Sequence, residues 1–281
     1  LQDQSDRCFL MTDFNNDITF ANYRMDVRYD GQNYYGWQRH KDKPTIQGAL
    51  EHAVTKCLGL RQNVEGSGRT DRGTHATGQV ASIRLPEDIN EKEALFNLNR
   101  VLEKNIEITS LKKISDSFHA RESAIGKRYI YKIWNHPKLP SEMNEKVWYI
   151  PEKLNVNAMD KACSYFTGTK DFASFAKVPN YKRATSVRIV HSLVLTQEDS
   201  LLCFSIIADG FLYKMVRNIV RALVKVGEGR SKVDDIPRII DAKSRKAAPG
   251  TAPASGLYLD TVFYDKKSMD DAVKTDQKAT I

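Results

Sequence analysis

No apolar run in the 281 residues is long enough to cross a bilayer, so helical membrane spans are not expected. Residues 1–21 carry Asp, Asn and Gln and lack a signal-peptide pattern. Cysteine is scarce. Cys8, Cys57, Cys163 and Cys203 stand far apart, in no CxxC and no Cys/His cluster. That disfavours structural zinc and a disulfide framework, and a reducing compartment is the simplest reading. The six histidines lack metal-ligand spacing as well. Low-complexity tracts and short tandem repeats are missing. The stretch "GSGRTDRG" superficially suggests a phosphate loop, but it has neither the Lys-Ser/Thr ending nor the strand-to-helix context.

What is present is an ordinary globular composition, 41% hydrophobic and 28% charged, long enough for one large domain or two smaller ones. The net charge of +8 suits an anionic partner such as nucleic acid, although a metabolic enzyme can carry it too. The chain begins at Leu1 rather than Met, which leaves two compartments open: the cytoplasm, or an organelle after loss of a targeting peptide.

"YRMDVRYD" alternates strictly, with Tyr23, Met25, Val27 and Tyr29 on one face and Arg24, Asp26, Arg28 and Asp30 on the other. This period of two predicts a strand with one buried and one charged face. Helices are expected in "TIQGALEHAVTKCLG", over residues 90–103, over 155–166, and over a long span of 211–226. Further strands are expected over residues 79–85, 127–135, 187–195 and 201–208. "LPSEMNEKVWYIPEKLN" interrupts the pattern and is the candidate boundary. It divides the chain into an N-terminal half (22–140) holding the Asp71 loop and a C-terminal half (141–264) holding a basic helix. Residues 1–21 and 265–281 then read as tails, the latter frayed. The order of elements implies an α+β fold with helices covering a sheet.

Two stretches could carry chemistry. In "SGRTDRGTHATGQVAS" one carboxylate, Asp71, sits between Arg69 and Arg72 among glycines. Taken alone this is a charged turn; it is also how a loop would present a carboxylate whose charge is set by arginines. In "GFLYKMVRNIVRALVKVGEGR" an apolar stripe opposes Lys214, Arg217, Asn218, Arg221 and Lys225. That is either a solvated basic face or one that tracks phosphates. Tyr129 and Tyr131 share a strand face, which fits core packing or a stacking platform for an extruded base. Tyr34, Tyr35 and Trp37 are ambiguous in the same way. His75 and His119 read as hydrogen-bonding residues.

Together "YDGQNYYGWQ", "GSGRTDRGTHATGQV", "FHARESAIGKRYIYKIWN", "GTKDFASFA", "DGFLYKMVRNIV" and "APASGLYL" resemble, in order, the motifs of the TruA-type tRNA pseudouridine synthases, across residues 23–264. The resemblance implies two ferredoxin-like halves sharing a continuous antiparallel sheet flanked by helices, with an active cleft between them, assembled as a homodimer. It implies isomerisation of uridine in the tRNA anticodon arm, at positions 38, 39 and 40, with no cofactor and no metal. It gives Asp71 the role of nucleophile, Tyr129 that of stacking on the uracil, and Arg217 that of pairing with Asp71. Arg69 is expected to hold the RNA around the flipped nucleotide, and Lys214 and Arg221 to contact it. Glu122, Thr74 and Arg221 stand where the family has Phe, Val and a small residue; none removes a chemical group, but Glu122 and Arg221 bear on substrate range. A synthase acting on other tRNA or non-coding RNA uridines, and a catalytically silent RNA-binding protein, are the alternatives.

The chemistry agrees. The reaction detaches uracil from ribose at N1 and reattaches it through C5, so no external group is needed. A carboxylate desolvated alone would become neutral, and a paired arginine opposes that. Whether the carboxylate attacks C6 of the base or C1′ of the sugar stays open.

Overall fold

The computed structural model describes residues 18–177 and 185–279. Cys8 and residues 1–17 of the expected N-terminal tail therefore lie outside the described residues. Two compact units divide between Ala124 and Ile125.

The first unit runs β1 (Phe20–Tyr29), α1 (Ile46–Leu58), β2 (Glu65–Gly66), β3 (His75–Pro86), α2 (Glu91–Val101) and β4 (Ile106–Ile114). Its strands are ordered β4-β1-β3 with β2 paired to β3, the antiparallel ferredoxin-like order. The alternating face of β1 is buried as its pattern requires: Tyr23, Met25, Val27 and Tyr29 are all core residues. Helix α1 starts where Thr45 accepts the Gly48 amide and stops at Gly59 in the left-handed region. Asn90 caps α2 in the same way.

The second unit runs β5 (Gly126–Trp134), β6 (Trp148–Tyr149), α3 (Val156–Cys163), β7 (Gly168–Asp171), β8 (Val187–Glu198), β9 (Leu201–Ala208), α4 (Met215–Gly227), α5 (Asp235–Asp241), β10 (Leu257–Phe263) and α6 (Lys266–Lys278). Its strand order β10-β5-β9-β8 repeats the arrangement of the first unit, with β7 added beside β8. The stretch "LPSEMNEKVWYIPEKLN" lies within this unit, where Trp148 and Tyr149 pair in parallel with Ile133 and Trp134. Phe166 and Phe175 meet edge to face in the core, 5.1 Å between centroids.

Several elements differ from the expectations. Helix α4 begins at Met215 rather than 211, because Lys214 adopts a left-handed conformation (φ 63°) that a right-handed helix cannot contain. Strands β4 and β10 were not expected, and each contains a bulge. In β4 the register with β1 shifts between Asp26 and Val27, so the buried residues fall at Ile106, Ile108 and then Leu111. In β10 it shifts between Leu259 and Thr261, and the buried set is Leu257, Leu259, Val262 and Phe263. One extra residue breaks the period of two.

The C-terminal segment expected to be frayed is instead helix α6. Asp265 caps it by accepting the Ser268 amide, and Met269 packs with Ile207 and Phe263. Buried Asp276 accepts from the Ser205 hydroxyl at 2.5 Å. Burial raises its carboxyl above the usual range, against the Ser205 bond and the charge of Arg128. With a single large apolar anchor, the helix leaves almost no hydrophobic period in the sequence. Met269→Ala is expected to lower the unfolding free energy by about 2 kcal/mol in denaturant titrations. An unchanged midpoint would show that α6 adds nothing to the stability of the unit.

Candidate active site

In the first unit, Asp71 lies half-buried on the loop between β2 and β3, with Arg69 and Arg72 exposed on either side. Several backbone bonds hold the loop. Ser67 N donates to Val80 O at 2.7 Å, Trp37 N to Thr70 O at 3.1 Å, and Gly73 N to Tyr34 O at 3.3 Å. Thr74 N closes a turn on Asp71 O at 3.1 Å. The partner of Thr70 and Gly73 in these contacts is the link "GQNYYGWQ", and that of Ser67 is β3. A side-chain carbon at Gly36 (φ 89°) would collide with the Thr70 carbonyl, and one at Gly31 would collide with that of Thr74.

The aromatic cluster of that link now divides. Tyr34 and Trp37 are buried beneath the loop, whereas Tyr35 is 40% exposed and carries the Arg72 guanidinium 4.3 Å from its ring centroid. His75 is buried and its Nδ1 accepts the Gly31 amide at 3.2 Å. His119 sits 2.7 Å from Glu65 and its Nδ1 receives the amides of Arg121 and Glu122. Both histidines are hydrogen-bonding residues, as their sequence setting suggested. Glu122 and its neighbour Arg121 are exposed.

In the second unit, Tyr129 and Tyr131 share a face of β5 but differ in setting. Tyr129 is buried, 8% exposed, and packs edge to face on Phe211, 4.9 Å between centroids. Tyr131 is fully buried and donates to Pro253 O at 2.8 Å. Burial pushes its phenol far up, against the opposing charges of Arg217 and Arg221. Tyr131 is thus a core residue with a satisfied hydroxyl. Arg217 is half-buried; its Nε donates to Ala252 O at 2.8 Å, and Ala252 N donates to Arg217 O at 3.1 Å. This reciprocal pair fixes the guanidinium against the segment that precedes "ASGLYL".

The basic face of α4 is less solvated than its spacing implied. Asn218 is fully buried, which corrects its place on that face: Nδ2 donates to Phe175 O, and Oδ1 accepts from Arg245 and Thr251. Arg221 lies 5.3 Å from the Trp148 ring centroid and bonds Glu228 at 3.2 Å. Lys225 and Arg230 bond the same carboxylate. Lys214 rests beside the Tyr213 ring, ahead of the helix. Among the described residues no group of three or more His, Cys, Asp or Glu could hold a metal ion, and no helix is long and apolar enough to cross a membrane. Sequence reasoning passed over Tyr29, Thr70 and Gln79 as site residues: Gln79 bonds the Gly68 backbone, and the Tyr29 hydroxyl meets that of Thr70; a buried glutamine gives no signal in a hydrophobicity pattern.

A family model described as tRNA pseudouridine synthase matches residues 25–121 and 162–265. The chain belongs to the tRNA pseudouridine synthase family. The stretches matched by its model contain Arg69, Asp71, Lys214, Arg217 and Arg221, while Tyr129 and α6 fall outside them. The chain is 40% identical over 243 residues to a protein of Acetivibrio thermocellus named tRNA pseudouridine synthase A, covering 86% of this chain and 99% of that one. It is 38% identical over 244 residues to one of the same name from Bacillus sp., again covering 86% and 99%. Among solved structures, the crystal structure of the archaeal box H/ACA sRNP Nop10-Cbf5 complex gives a TM-score of 0.33 at 11% identity, covering 89% of this chain and 61% of that one. That likeness is too slight to carry weight.

The Glu228 cluster in this synthase-family chain has a consequence for stability. Burial opposes ionisation of Glu228, but the bond from Lys225 and the charges of Arg221, Lys225 and Arg230 outweigh it and hold the carboxyl below its ordinary value. A lowered folded-state value stabilises the fold above the unfolded-state value and loses that effect as pH falls through the folded one. The stability gap between the parent and Glu228→Gln should therefore be constant from neutral pH to about 5 and close below about 4. Urea titrations across that range measure it, and a gap that widens in acid would refute the cluster's stabilising role.

Proposed function

We propose that the protein isomerises uridine to pseudouridine in the tRNA anticodon arm, at positions 38, 39 and 40, with Asp71 as the nucleophile. The observation that carries this reading is the 40% identity to a protein named tRNA pseudouridine synthase A over nearly the whole length of that protein. Support also comes from the family-model match, whose two stretches contain Asp71 and Arg217.

The loop suits the task. A nucleophilic carboxylate must be presented at one point, with little conformational freedom, to a nucleotide turned out of its stack. The backbone bonds of residues 67–74 supply that rigidity. Asp71 forms a bond either at C1′, displacing N1, or at C6; the N1–C1′ bond breaks, uracil turns, C5 bonds C1′, the Asp71 bond breaks to free the carboxylate, and a proton leaves C5 to solvent while N1 takes one up. Tyr129 offers its ring to the uracil, and Arg217, oriented through Nε by Ala252, provides the counter-charge that keeps the nucleophile ionised. Exposed Arg69 meets the phosphates beside the turned-out nucleotide. Lys214 and the α4 cluster contribute sequence-independent backbone affinity. In that cluster three cations surround one carboxylate, so a positive excess remains after Arg221 is bonded. Assembly as a homodimer in the cytoplasm belongs to the same reading.

The test uses an unmodified tRNA transcript labelled with tritium at uridine C5. The parent protein should release tritium, and Asp71→Asn should release none above background while binding tRNA normally. Arg217→Ala should slow the single-turnover rate at saturating protein by about a hundredfold, since a charge partner at a reacting centre acts on the rate. Turnover retained in Asp71→Asn would remove Asp71 as nucleophile. An Arg217→Ala variant slowed only below saturation would make Arg217 a binding residue.

A further inference from the structure

The Asp71 loop is supported by a side chain that the reaction itself does not use. Gln79 is fully buried in β3. Its amide lies along the backbone of Gly68: Nε2 donates to Gly68 O at 2.8 Å, and Gly68 N donates to Oε1 at 3.4 Å. Nε2 also reaches the Tyr29 hydroxyl at 3.4 Å. Because the Tyr29 oxygen accepts there, its own hydrogen is available for Thr70 Oγ1, 2.9 Å away. Burial pushes the Tyr29 phenol up to about 12, against the bonds with Thr70 and Gln79, so it remains a proton donor at any working pH. Gly68 and Thr70 flank Arg69 and immediately precede Asp71. Both are gripped by this one chain of bonds.

Packing does not account for an amide at this position. Leucine would fill a similar volume with no polar group to desolvate, whereas a buried amide is unfavourable unless its groups are bonded. The polar atoms of Gln79 are directed at the loop backbone and at the tyrosine that bonds the same loop. We propose that Gln79, acting through Tyr29 and Thr70, is a positioning residue for the isomerisation: it sets the backbone of residues 68–70 and hence where the Asp71 carboxylate meets the uridine. This rests on the reading of Asp71 as the nucleophile. It adds a residue set to that reading and assigns it to the rate, not to RNA affinity.

The experiment compares Gln79→Leu, Tyr29→Phe, Thr70→Val and Thr70→Ser by single-turnover tritium release at saturating protein, together with tRNA affinity. Gln79→Leu and Thr70→Val should lose about tenfold to a hundredfold in rate, the cost of a small misplacement at a reacting centre. Their tRNA affinity should stay within about twofold, because exposed cations carry binding. Thr70→Ser keeps the hydroxyl and should restore most of the rate. A residue that serves stability alone would lower the melting temperature and leave the saturated rate of the folded protein unchanged; that outcome overturns the proposal. Equal loss in Thr70→Ser and Thr70→Val overturns it too, since the hydroxyl would then be irrelevant. Should Gln79→Leu fail to fold, Tyr29→Phe and the Thr70 pair decide the question. Asp71→Asn in the same assay separates the two claims. Turnover in that variant removes the nucleophile, whereas no turnover there with a full rate in Gln79→Leu removes only the role of Gln79.

Discussion

A loop built from Ser, Gly, Arg, Thr and Asp has no large apolar side chain with which to anchor itself, so its shape depends on bonds made to its backbone. In this protein those bonds come from both sides. The link between β1 and α1 supplies Trp37 N and Tyr34 O, and β3 supplies Val80 O and the Gln79 amide. Each such bond contributes on the order of 1 kcal/mol net. Their joint effect is to remove alternative conformations from a segment that must carry a half-buried acid. The same requirement explains why glycine stands at residues 31 and 36, where the link presses against the loop carbonyls. The β1–α1 link and the Asp71 loop are one construction, although they are separated in the chain.

That construction was only partly legible in the sequence. The alternation of β1, the capped α1 and the aromatic run of β5 are strong local signals, and the structure has all three. Strands β4 and β10 were missed because a bulge shifts the phase of each, leaving buried residues two and then three positions apart. Helix α6 was missed because Met269, Ala272 and Val273 give it little apolar contact, and its buried acid reads as one more surface charge. Asn218 was misplaced because spacing on a helix gives a direction but not a partner; Phe175, Arg245 and Thr251 lie far from it in the chain. At the proposed site, the sequence marked the groups proposed to do chemistry and hid those that contact them. Gln79 and Thr70 belong to no pattern of hydrophobicity or charge, and their bonds to Gly68 and Tyr29 arise only on folding.

The basic residues show how charge is apportioned. A net excess of +8 suits binding to a polyanion, but the individual cations are not equivalent. Arg217 is bound to a backbone carbonyl, and Arg221 to Glu228 and the Trp148 ring. Arg69 is exposed on its loop. A cation fixed by protein partners loses adaptability and gains direction, which suits a defined contact; an exposed one suits a phosphate chain of variable path. This distinction, rather than the number of lysines and arginines, separates Arg217, proposed for the rate, from Arg69, proposed to meet phosphates.

The measurement that bears most directly on the account is a site-resolved map of pseudouridine in unmodified tRNA incubated with the purified protein. The account predicts new pseudouridine confined to the anticodon arm, at positions 38, 39 and 40. A map with no new pseudouridine anywhere, from folded protein that binds the same tRNA, would contradict it.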